Sequence, residues 1–177
     1  MSRIPLTNVD EQPEPIRQFM ARRGELNVFR LLANAPRVFV GWTQMLDELS
    51  DSATFSPRLR HVIILRVAHL QQSDYALSRH VALARAAGLT ERQINAIVAT
   101  DDFDGAGFVH AERAALDVVT ELCSTHRLRE DTFAAALATF GDEALVELLM
   151  IVSCYYGLAF VLNAVELDLD DTEGSQP

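Results

Sequence analysis

The residues best suited to chemistry in this chain fall between positions 57 and 80. The run PRLRHVIILRVAHLQQSDYALSRH holds His61 and His80, Arg60, Arg66 and Arg79, Tyr75 and the hydroxyl of Ser73. Histidine is the side chain whose ordinary pKa lets it give and take protons near neutrality, so His80 is the first candidate for a catalytic acid or base. At 100° per residue, Ser73, Ala76 and His80 share one helix face, which sets a hydroxyl two turns before the imidazole. His61 is the candidate partner: two imidazoles held at different pKa values could divide the work, one giving and one taking a proton, if their helices face each other. Tyr75 lies one helix face away from His80 and is the aromatic candidate to assist.

Arg66 and Arg79 are candidates for holding a substrate anion, because guanidinium matches a carboxylate with parallel hydrogen bonds. Arg66 has a second reading as a helix tie. It sits in the apolar run IILRVA, where a charge demands a partner, such as Glu112, Asp117 or Glu147. Ser73 and Trp42 complete the candidate substrate-binding set. No His-x-x-x-His or His-x-Glu spacing supports a metal shared by His61, His80 and Asp74, so neither a metal nor a cofactor is expected. Cys123 and Cys154 lie in apolar helical patterns, where burial raises a thiol pKa and leaves it inert.

The elements that must position these groups read as helices. Helical periodicity recurs along the chain, while alternating β-branched runs with hairpin turns are absent, so the fold class is all-α. Helices are expected over 15–22, 27–32, 36–49, 57–71, 74–87, 91–99, 110–125, 130–140 and 143–167. Ser56-Pro57 supplies an N-cap hydroxyl with proline at the first helical position. Thr90 followed by Gln93 can form a capping box, and Gly88 suits the stop of the helix before it. The domain organisation expected is a flexible segment 1–12, a single helical domain 13–168 and a disordered acidic tail 169–177.

Composition sets the classes of partner. The 177 residues are 49% hydrophobic and 23% charged, the mix of a folded globular chain, with a net charge of −10. That balance disfavours nucleic acid as a partner. The segment VALARAAGLTERQINAIV has the outline of a helix-turn-helix, yet its second helix offers Arg92 as its single basic residue. The apolar stretch 144–165 is long enough to span a bilayer, but acidic flanks and the absence of a Lys/Arg bias favour a buried or interfacial helix, so no membrane role is expected. The opening residues lack a signal-peptide core, and two cysteines fit a thiol-reduced, cytoplasmic protein. The quantity of apolar helix surface points to a homo-oligomer.

The run from Pro57 to Val98, with ILRVA, a polar turn, an aromatic, His80 and then ARAAGLT, resembles the carboxymuconolactone decarboxylase-like superfamily, which includes the alkylhydroperoxidase D-like (AhpD-like) proteins. Weaker similarity extends to PRVFVGWTQMLDEL before it and to HAERAALDVVTEL and VELLMIVSCYYGLAFVLNAVEL after it. The resemblance implies an AhpD-like helical bundle assembled as a trimer or hexamer, with sites near subunit contacts. Redox members carry Cys-x-x-Cys-x-x-x-His with an upstream glutamate; here those positions hold Ser73, Ala76, His80 and His61. The thiol pair of peroxide reduction is replaced. Decarboxylase members place a glutamate one turn before the histidine, and here Ala76 occupies that slot.

The expected function is therefore that of a carboxymuconolactone decarboxylase-like enzyme, a lyase or isomerase rather than a thiol peroxidase. It would carry out decarboxylation, isomerisation or lactone opening on a small carboxylate or carbonyl compound through His80. The alternatives are an antioxidant protein with the peroxiredoxin activity of its family, or a non-catalytic ligand-binding oligomer.

Overall fold

In a computed structural model, residues 2–100 and 102–170 are described. All regular elements among them are helical: a 3-10 turn at Val9–Glu11, then α1 (Glu14–Arg23), α2 (Asn27–Leu32), α3 (Pro36–Asp51), α4 (Pro57–Leu70), α5 (Asp74–Ala86), α6 (Glu91–Ala99), α7 (His110–Thr125) and α8 (Glu130–Ala164). The expected division between 140 and 143 falls inside α8 as a break at Gly141, whose φ of 72° lies outside helical geometry. Glycine takes that conformation without the Cβ clash that other residues would suffer.

The chain divides into two compact units. One comprises residues 1–51 and 161–177. In it α1 packs on α3, and Phe19 meets Phe29 and Phe39 edge to face, with centroids 4.8 and 5.4 Å apart. Within the segment expected to be flexible, the Thr7 N–H donates to the Arg30 carbonyl (3.2 Å) and the Arg3 N–H to the Val165 carbonyl (2.8 Å). Asp170, in the expected tail, accepts from the Asn27 N–H at 2.7 Å. Positions 171–177 of that tail lie outside the described residues.

The other unit, residues 52–160, is built around α4. Every residue from Val62 to Ala68 is buried, so this helix has no solvent face over two turns; α5, α6 and α7 pack around it. Val62 and Leu65 join Ala84, Leu89, Ile94, Ile97, Phe103 and Leu116 in one apolar cluster. Burying eight such groups at about 1.5–3 kcal/mol for each large side chain supplies the drive that holds α4 in the centre.

Helix ends follow the chemistry that the sequence carries. Ser56 accepts the Leu59 N–H, and Thr90 and Gln93 form the capping box. Gly88 ends α5 in a complete Schellman motif: Leu89 N–H donates to Ala84 O and Gly88 N–H to Arg85 O. The same motif ends α4, with Ser73 N–H bonded to Ala68 O and Gln72 N–H to His69 O. There the left-handed position is filled by Gln72, at φ 52°. This tight stop delivers Ser73 directly as the N-cap residue of α5.

Candidate functional site

His61 sits on the second turn of α4, and His80 on the second turn of α5. The two rings face each other, with Nδ1 atoms 3.5 Å apart and centroids 5.5 Å apart. Tyr155 from α8 meets His80 edge to face at 5.3 Å. The condition on which a shared role depended, that α4 and α5 bring the two imidazoles together, is thus met by the fold. Neither ring has another hydrogen-bond partner among the described residues.

Both imidazoles are pushed toward neutrality. Burial, then the charge of neighbouring Arg60, lowers His61 to about 4. Burial, then His61 and Arg79, lowers His80 to about 3. At pH 7 each ring therefore carries one proton. If one Nδ1–H points at the other ring's Nδ1 lone pair, the donor ring must present a bare Nε2 and the acceptor ring an Nε2–H. Such a pair offers a base at one outer nitrogen and an acid at the other. The Nδ1 separation stands at the outer limit of hydrogen-bond reach, as catalytic contacts often do before substrate tightens them.

The other candidate residues fall around this pair or away from it. Ser73 is 0% exposed, caps nothing with its side chain, and its Oγ has no hydrogen-bond partner. Ala76 and Tyr75 on the next turn are buried too, whereas Arg79 is partly exposed. Trp42 is half-buried on α3, in the other compact unit.

Arg66 is enclosed by oxygen acceptors and an aromatic ring. It is 0% exposed; its guanidinium donates to Thr120 Oγ1 and to the carbonyls of Ile97 and Thr100, each at 2.9 Å, and stacks on Phe103 at 4.9 Å. Glu112, one of its expected carboxylates, is held instead by Arg58 (2.6 Å), which also reaches Gln93 and the Gly88 carbonyl. Asp117, another, pairs with Arg113. Glu147 is the third, and its Oε1 is buried without a partner.

Two contributors escaped the sequence reading. Arg60 supplies the charge that His61 feels, although its own Nη2 is anchored on the Ser52 and Phe55 carbonyls; its Nε is buried with no acceptor. Its signal was adjacency to His61. For Tyr155, nothing in sequence separation links position 155 to position 80.

Cys123 and Cys154 are free and buried, and burial pushes both thiols up to about 11. Among the described residues, no three His, Cys, Asp or Glu side chains converge on a possible metal position. A cleft of about 800 Å³ lies along α7 and the first part of α8, lined by residues such as Phe103, Glu121 and Arg127. His61, His80 and Tyr155 are not part of its lining.

The comparisons agree with this fold. The sequence profile of the Carboxymuconolactone decarboxylase family matches residues 36–121. No curated protein matches the chain. Among solved structures, an uncharacterized peroxidase-related protein from Ralstonia eutropha, described as an alkylhydroperoxidase AhpD core, is similar with a TM-score of 0.83 at 22% identity, over 96% of this chain and 93% of that one. A peroxidase-related protein from a Silicibacter species reaches 0.80 at 15% identity, over 98% and 93%. The debrominase Bmp8, as a cysteine-to-alanine variant in complex with 2,3,4-tribromopyrrole, reaches 0.78 at 19% identity, over 95% and 91%. Residues 36–121 thus carry the sequence profile of the Carboxymuconolactone decarboxylase family, and the chain has the AhpD-like all-α fold.

Proposed function

We propose that the protein performs acid/base chemistry, as decarboxylation, isomerisation or lactone opening, on a small carboxylate or carbonyl compound, with His80 as the proton-transfer residue and His61 as its partner. The observation that carries this reading is the 3.5 Å approach of two neutral imidazoles that have no other hydrogen-bond partner among the described residues. A neutral imidazole can polarise a carbonyl through its Nε2–H, and its counterpart's bare Nε2 can take a proton from carbon. The positive charges of Arg79 and Arg60 favour an anionic substrate. Its carboxylate would offset the field that depresses both rings and draw their pKa values back toward neutrality. Tyr75 and Ser73 flank His80 along α5 and belong to the same proposal.

The antioxidant alternative draws support from the peroxidase-related neighbours, but thiol chemistry needs an accessible thiolate, and both thiols here are buried and raised. The reading also takes the protein as a cytoplasmic homo-oligomer. Supporting this are two unpaired thiols and the face of α8, where Val146, Met150 and Phe160 are 43–59% exposed. Among the described residues, α8 is the one helix long and apolar enough to cross a membrane, and 39% of its most apolar window is buried.

The test is deuterium wash-in. Small β-keto acids and unsaturated lactone acids are incubated with the protein in D2O and followed by NMR, beside His80→Ala and His61→Ala. Exchange or decarboxylation at the acidic carbon, lost in His80→Ala and reduced in His61→Ala, is expected. Exchange that persists in His80→Ala removes the histidine pair from the chemistry, and binding with no exchange for any compound favours a non-catalytic ligand-binding protein.

A further inference from the structure

The part of α8 beyond Gly141 has a patterned outer face. Glu143, Val146, Met150, Ser153, Gly157 and Phe160 are all exposed, and they follow one another at alternating steps of three and four residues. The inner face, with Leu145, Leu148, Val152 and Ala159, is buried. Alternation of three and four is the heptad spacing along which two helices pack side by side. It drifts by about 20° per seven residues on a straight helix, so helices that share such a seam cross at a shallow angle.

Two details of the seam have no use inside the chain. Gly157 lies within the helix, where glycine is among the least favourable residues. Nothing stands within 4 Å of the place its Cβ would occupy, so no contact within the chain requires the missing side chain. With Ser153 one turn earlier it forms a shallow notch, the feature that lets another helix backbone approach closely. Beside the notch Phe160 is 59% exposed yet held in orientation: Tyr156 meets it edge to face at 5.0 Å and meets His126 in turn at 6.3 Å. An exposed aromatic already fixed in place is the kind of anchor on which interfaces depend.

We propose that this seam pairs antiparallel with the same seam of a second copy, across a two-fold axis level with position 155. Positions equally far from 155 then face each other. Met150 meets Phe160 of the second copy, a thioether against an aromatic ring, and Ser153 meets Gly157 where the helices come closest. One patch is used twice, as in an isologous dimer. A parallel pairing would instead set Glu143 against Glu143 and Phe160 against Phe160. Lipid is the poorer occupant, because Glu143 lies in the seam and Asp142 beside it, and carboxylates suit neither hydrocarbon nor an anionic headgroup surface. The proposal rests on the reading of the protein as a homo-oligomer and gives that reading its contact surface.

The test is sedimentation equilibrium of the full-length protein at micromolar concentration, beside Met150→Lys and Phe160→Glu, each alone and then mixed in equal amounts. The wild type is expected as a dimer or an even multiple of one, and each variant alone should weaken that association by about tenfold or more. In the mixture the antiparallel register sets the introduced ammonium of one chain against the introduced carboxylate of the other, while the remaining Met150 and Phe160 pair as in the wild type. Association is therefore expected to return. Circular dichroism of each variant, expected unchanged, separates a lost interface from a lost fold. A mixture of folded variants that associates no better than either alone would overturn the antiparallel seam. A wild-type oligomer unmoved by both substitutions would overturn the proposal and leave the homo-oligomer reading standing, whereas a wild-type monomer would overturn both. A monomer that floats with phosphatidylcholine vesicles would assign the seam to a membrane surface instead.

Discussion

Two basic side chains five residues apart on α4 meet the same problem, removal from water, and resolve it in opposite ways. Arginine as a residue type is a permanent cation, and the fold surrounds Arg66 with three oxygen acceptors and an aromatic face. His61 can discharge, and does: its environment offers no carboxylate, only burial, Arg60 and another imidazole. The first solution yields a rigid tie between α4, α7 and the end of α6. The second yields an unspent pair of proton donors and acceptors, which is what a site of chemistry requires.

The largest effect of a single substitution at pH 7 is expected from breaking the tie. Arg66→Met removes the donor from the buried Ile97 carbonyl, the part-buried Thr100 carbonyl and a hydroxyl and should cost about 3 kcal/mol, measured as a lower urea midpoint. A loss within about 0.5 kcal/mol would mean that those oxygens find other donors and that Arg66 contributes little. His61→Gln, by contrast, should leave stability near that of the wild type at pH 7, because it replaces a neutral group with a neutral group.

The next effect separates the two residues by pH. Both imidazoles titrate from a reference value of 6.5 in the unfolded chain, and near 4 and 3 in the folded one. Between those values the unfolded chain binds more protons, so stability rises with pH. The contribution is fully present above about pH 7 and is lost as the pH falls through 6.5 toward 4. Over that window we expect a loss of about 5 kcal/mol attributable to the pair, read as the difference between wild type and a His61→Gln/His80→Gln double variant in urea titrations at pH 7 and pH 4.5. Parallel losses in the two proteins would show that the imidazoles are well solvated and that carboxylates alone set the acid limb.

Much of this frame was legible in the sequence, for local reasons. Ser56-Pro57, the Thr90/Gln93 box and Gly88 are signals read within one turn of chain, and the helix ends they mark stand within a residue or two of expectation. The Ser73, Ala76 and His80 stripe was equally local, since one helix fixes its own faces. The approach of His61 to His80 was not, because helical spacing says nothing about how α4 and α5 are rotated toward each other. Nor could sequence assign the partners of Arg66: Glu112 and Asp117 were reasonable in charge, but Arg58 and Arg113 had already claimed them.

Smaller effects test how α5 is delivered to His61. Gln72 holds the left-handed position at the end of α4, where a side chain costs about 1–2 kcal/mol. Gln72→Gly should therefore stabilise the fold by roughly 0.5–1 kcal/mol after the entropy that glycine returns to the unfolded chain, seen as a higher thermal midpoint. Destabilisation would mean that the Gln72 side chain supports the turn.

Ser73, the next residue, provides the finest comparison with Arg66. Both are fully buried, yet one donates to three oxygens and the other has a hydroxyl with no partner. Removing a satisfied group costs stability; removing an unsatisfied one should return it. Ser73→Ala is expected to stabilise the protein by about 0.5 kcal/mol in the same urea titration. Combined with the deuterium wash-in, the variant separates two origins of that unused hydroxyl. Higher stability with slower exchange would mark Ser73 as a group kept at a cost for the chemistry at His80, whereas higher stability with unchanged exchange would leave it as a neutral occupant of the position where redox relatives keep a thiol.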